Sequence, residues 1–87
     1  MIIWAKIWSD NQLIKDLTVT SNASDTRTHK IFAILNQICT EWDLPKPIWL
    51  DSNISEFKKY GSTRFSQDSF IESVDFDYLE FVILEED

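Results

Sequence analysis

Residues 2–8 read "IIWAKIW". Apolar residues alternate here with period two. Ile3, Ala5 and Ile7 fall on one face of an extended chain, and Ile2, Trp4, Lys6 and Trp8 fall on the other. The first face is that of a strand packed beneath a covering layer. The second poses a question, because two tryptophans flanking a lysine suit neither a dry core nor an ordinary wet surface.

Working outward, "SDNQ" (9–12) is turn chemistry, with short polar side chains that tolerate unusual backbone angles. "LIKDLTVT" (13–20) follows as a second strand rich in β-branched residues. Leu13, Leu17 and Val19 are expected to face inward, which leaves Lys15 in the same register. A bulge, or a lysine snorkelling past the sheet end, resolves that conflict. Asp25 or Ser24 then caps a helix in which Ile31, Ile34, Leu35, Ile38 and Trp42 form one apolar stripe, widened by Phe32 and Cys39. The helix ends near Asp43, because Leu44 precedes Pro45.

"KPIWLD" (46–51) reads as a short strand with Ile48 and Leu50 pointing one way and Trp49 the other. "NISEFKKYG" (53–61) reads as a short helical turn, capped by Asn53 and stopped by Gly61. In residues 62–77, Phe65, Phe70 and Ile71 are expected to plug the underside of the sheet from a loop or one helical turn. "YLEFVIL" (78–84) is the last strand, with Leu79, Phe81 and Ile83 on one face.

The order β, β, α, β, short turn, β resembles the β-grasp fold of the ubiquitin-like superfamily. The likeness is carried by "MIIWAKI", the helix after "SNASD", "PIWLD" and "DYLEFVIL". It implies an α+β fold: a mixed four-stranded sheet in ββαββ order, one helix on one face, and the first and last strands parallel at the centre. The chain ends "LEED" rather than in a diglycine tail, so no conjugation role follows. "WAKI", "DTRTHK", "KPIWL" and "FIESVDFDYLEF" also look like a group of short uncharacterised bacterial proteins, which implies a bacterial source and no particular activity.

Eighty-seven residues make a single domain, 1–87. A chain of this size buries only roughly 60–65% of the surface its unfolded form exposes, so its apolar side chains must be used well. Apolar content of 44% is globular. The single cysteine, Cys39, excludes an internal disulfide and suits a reducing cytoplasm. No apolar run is long enough to span a membrane, and "MIIWAKIWSD" lacks the features of a signal peptide. The net charge of −7 disfavours direct nucleic-acid binding. Residues 1–64 hold all eight bases against seven acids, and the last 23 residues hold eight acids and no base. This acidic surface comprises Asp68, Glu72, Asp75, Asp77, Glu80, Glu85, Glu86 and Asp87.

Catalytic and metal chemistries find little support. Cys39 lies about three helical turns from the only histidine, His29, too far for a nucleophile–base pair on one helix. One His and one Cys do not make a zinc site. The carboxylates of "DFD" (75–77) suit turn duty, and one glycine cannot build a phosphate loop. The expectation is a cytoplasmic protein that is not an enzyme and needs no cofactor or metal. It docks a protein partner, or a second copy of itself, through the open sheet face: Trp4, Lys6, Trp8, Trp49, Val82 and Leu84. The alternative is an acidic inhibitor whose carboxylates stand in for phosphates toward a nucleic-acid-processing protein.

Overall fold

The computed structural model describes residues 1–86, so Asp87 lies outside the described residues. Four strands, β1 (Ile2–Ser9), β2 (Gln12–Thr20), β3 (Ser62–Ser66) and β4 (Tyr78–Glu85), and two helices, α1 (Arg27–Glu41) and α2 (Asp51–Tyr60), follow in the order β1-β2-α1-α2-β3-β4. The sheet order is β2-β1-β4-β3, and each neighbouring pair is antiparallel. The α+β class, a four-stranded sheet covered on one face, and three of the four expected strands (β1, β2 and β4) agree with the sequence reading.

The β-grasp order does not. β1 and β4 are central neighbours, as expected, but they run antiparallel, with Ala5 opposite Phe81. The cause lies in residues 46–60. "KPIWLD" forms no strand, because Pro45 and Pro47 each lack the N–H a sheet ladder needs. Ile48 instead donates its N–H to the Ser69 carbonyl at 2.7 Å. The segment after it makes a full second helix, and the third strand is "STRFS" (62–66). That exchange adds one reversal of chain direction before β4.

The β1–β2 turn places Asp10 and Asn11 at φ 52° and 62°, the left-handed pair of a two-residue hairpin. Regular pairing from this turn would set Lys6 against Lys15. A bulge after Ile7 moves the register by one, so that Lys6 faces Asp16 and Ile7 faces Lys15. Lys15 thus lies on the helix side, with its ammonium 5.2 Å from the Trp42 ring centroid at the sheet's end. The bulge and the snorkelling lysine occur together. Leu13 moves with them: expected inside, it lies opposite Trp8 and is 45% exposed.

Helix α1 is capped by Thr26, whose hydroxyl accepts from the His29 N–H at 3.2 Å, rather than by Asp25 or Ser24. Its far end closes as a Schellman turn with Asp43 left-handed (φ 52°), and Leu44 N–H donates to the Cys39 carbonyl at 2.8 Å. Ile31, Ile34, Leu35, Ile38 and Cys39 bury against Ile3, Ala5, Ile7, Leu79 and Phe81. Phe32, expected on that stripe, is half exposed at the helix margin.

Helix α2 is fixed by Asn53, which is buried and uses all four of its hydrogen bonds. Its carbonyl accepts from Leu50 N–H (3.0 Å) and Ser69 Oγ (3.2 Å). Its amide donates to Thr63 Oγ1 (2.9 Å) and the Arg64 carbonyl (3.0 Å). One side chain thus ties α2 to β3 and to the single 3₁₀ turn at Gln67–Ser69. Phe65 and Phe70 are buried as expected, whereas Ile71 stands in solvent.

Each buried large apolar side chain contributes about 1.5–3 kcal/mol, against about 0.2–1 kcal/mol for a cross-strand pair on a wet face. The covered face therefore holds the fold. The other face is under less structural constraint.

Candidate functional site

Among the described residues, the open face is built from three cross-strand rows. Reading β2 to β3, the first is Thr18, Trp4, Val82 and Ser62. The second is Asp16, Lys6, Glu80 and Arg64, and the third is Leu13, Trp8, Tyr78 and Ser66. Two aromatic rows therefore flank one charged row whose signs alternate across the sheet.

The charged row explains the lysine between the tryptophans. Lys6 Nζ lies 3.3 Å from Glu80 Oε1 and 3.7 Å from the Trp4 ring centroid, a combined ion pair and cation–π contact. The indole N–H groups are used by the same row: Trp4 Nε1 donates to Asp16 Oδ2 at 2.8 Å, and Trp8 Nε1 to Glu80 Oε1 at 3.0 Å. Arg64 approaches Glu80 Oε2 at 3.8 Å and lies over the Tyr78 ring at 4.6 Å. Tyr78 in turn packs beside Trp8 with ring centroids 6.3 Å apart. Lys6 and Glu80 keep only 14% and 17% of their side-chain exposure, so the rings stand in a preset lattice.

Of the expected docking residues, Trp4, Lys6, Trp8 and Val82 come together here. Leu84 is the extra residue of a second bulge, between the pairs Ile2–Glu85 and Ile3–Ile83, and lines a depression with Arg27, Phe57 and Lys58. Trp49 is on the opposite side of the sheet. Its ring meets Phe65, Phe57 and Phe81 edge-on at centroid distances of 4.9, 5.3 and 6.3 Å. It is a core residue, because the chain through Pro45 and Pro47 crosses the helix side.

The acidic residues do not form one stripe. Glu80 is taken up by Lys6, Trp8 and Arg64, and Glu86 pairs with Arg27 at 2.6 Å. Asp77 ties the first hairpin to β4, accepting the Asp10 N–H (2.9 Å) while donating its own N–H to the Trp8 carbonyl (2.9 Å). Asp68, Glu72 and Asp75 are exposed before β4, and Glu85 follows at its end. The eight residues of that strand separate the two groups by about 25 Å at about 3.4 Å each.

Among the described residues no three His, Cys, Asp or Glu side chains are grouped to hold a metal. His29 is occupied by Asp25, with Nδ1 3.0 Å from Oδ1. The Thr26 amide, then His29, hold the Asp25 carboxyl below its usual range. Burial pushes the Cys39 thiol up to about 11. No described helix is long and apolar enough to cross a membrane.

Sequence reasoning missed Asp16, Arg64 and Leu13 on the open face, and left Tyr78, which it placed on the same side of the last strand as Glu80 and Val82, out of the docking residues. Asp16 requires the bulge, and Arg64 requires β3. Tyr78 was legible from its phase with Glu80 and Val82. No family model, curated protein or solved structure matches the chain.

Proposed function

We propose that the protein is an interaction module that docks a different protein on its open sheet face. The observation that carries this reading is the locked aromatic lattice. Trp4 and Trp8 are held by their own N–H bonds to Asp16 and Glu80, and Lys6 is clamped between ring and carboxylate. Anchors already fixed in the free state lose little side-chain entropy on contact, and tryptophan is the residue most enriched at binding hot spots.

The occupant is a protein surface with apolar anchors inside a basic rim. The charged row itself is neutral, while the molecule around it carries a net charge of −7. Two copies would repel, which weighs against a homodimer, and a basic partner is drawn in. Mimicry of nucleic acid by the acidic segment draws less support, because its carboxylates are divided between the ends of β4 and two are neutralised within the chain.

The test is retention of partners from a bacterial lysate by wild type and by a Trp4→Glu, Trp8→Glu double variant whose fold is verified by circular dichroism. A protein retained by wild type, lost by the variant and held through moderate salt supports docking by the face. Retention of the same basic proteins by both forms, with release in moderate salt, overturns it in favour of the acidic segment.

A further inference from the structure

A second surface, on the helix side, has the opposite character. Arg27, Thr28, Ile31 and Phe32 of α1 face Ile54, Phe57 and Lys58 of α2 across a groove of about 230 Å³, with Trp49 on its floor. Phe32 is 50% exposed and Ile54 40%, so two large apolar side chains stand open on its lips. Among the described residues, the charged side chains lining it are the cations Arg27 and Lys58. Arg27 is neutralised by Glu86, so the open positive charge at this groove is that of Lys58. The groove mouth already grips one carboxylate, since Arg27 Nε binds Glu86 at 2.6 Å.

We infer that the α1–α2 groove is a docking site for an acidic amphipathic helix of a partner protein, seating apolar side chains against Phe32, Ile54 and Trp49 and a carboxylate on Lys58. The volume is below the about 300–1,000 Å³ of small-molecule pockets and suits apolar anchors of a peptide better than a cofactor. A helix laid between two helices presents such anchors at positions i, i+3, i+4 and i+7. Charge selects the occupant locally: a basic segment would meet the Lys58 ammonium head-on, and a carboxylate would pair with it. This site is independent of the sheet-face reading, which lies on the other side of the molecule.

Two synthetic 14-residue helical peptides test it, with the same Leu and Phe positions and with the remaining positions glutamate in one and lysine in the other. Each is titrated into ¹⁵N-labelled protein. The glutamate peptide is expected to shift the amides of residues 27–32, 49 and 54–58. Lys58→Glu should weaken it about tenfold or more, since like charges brought together cost several kcal/mol. Ile54→Glu should abolish those shifts. Both side chains are exposed, so both variants are expected to fold. Equal binding of the lysine peptide, shifts confined to Trp4, Trp8 and Tyr78, or no groove shifts at millimolar peptide would each overturn the inference. Shifts on the sheet face alone would leave the first reading standing while removing this one.

Discussion

At Glu80 one carboxylate receives the Trp8 indole, the Lys6 ammonium and the Arg64 guanidinium, and is left with only 17% of its side chain exposed. That convergence was hidden in the sequence, because the four residues are joined by register and not by spacing. Trp4, Lys6 and Trp8 could be placed on one face from their phase alone. Trp49 could not, since phase in an unpaired segment names no sheet face. Two buried side chains offer direct checks. Asn53→Ala removes four hydrogen bonds and leaves Ser69 without its acceptor, so it is expected to cost about 2–4 kcal/mol in urea unfolding. A loss under about 0.5 kcal/mol would contradict the network. Cys39 is 2% exposed with its pKa raised to about 11, so at pH 8 only about a thousandth is thiolate. A thiol reagent should label it only after denaturant is added, and prompt labelling of native protein would contradict its burial.

Among the elements, β1, α1 and β4 were legible because each carries a period of two or of 3.6 over seven or more residues, and β2 was legible from its β-branched residues and the turn before it despite the bulge. β3 was not. In "STRFS" only Thr63 and Phe65 face inward, and neighbouring "PIWLD" showed the same alternation with more apolar weight. The prolines before Ile48 decided between them, and with them the antiparallel order. Gly61 ends α2 at φ 68°, and a Cβ built there meets only Ile83 Cβ at 4.0 Å. Gly61→Ala is therefore expected to cost about 1–2 kcal/mol from backbone strain alone, and Gly61→Asn less, since Asn tolerates this region. Equal costs for both would point to a clash instead. At the start of α1, the folded-state pKa of Asp25 lies below its unfolded value near 4. Its contribution is present above that unfolded value and is lost as pH falls through the folded one. The melting temperature of Asp25→Asn should fall less steeply than wild type below about pH 4. Parallel profiles would contradict the assignment.

At the scale of the molecule, the fold is held from one face, and the docking proposed first lies on the other. Helices α1 and α2 cover one with apolar side chains, and the other carries charge and aromatic rows satisfied across four strands. The measurement that bears most directly on this division is photo-crosslinking in a bacterial host, with a benzophenone side chain placed at Thr18, which faces outward beside Trp4, or at Gln37, on the exposed side of α1. The expected result is an adduct with a different protein from position 18, absent from position 37 and lost when Trp4 and Trp8 are both glutamate. An adduct of twice the chain's own mass, or one formed from position 37 alone, would contradict docking of a foreign protein on the open sheet face.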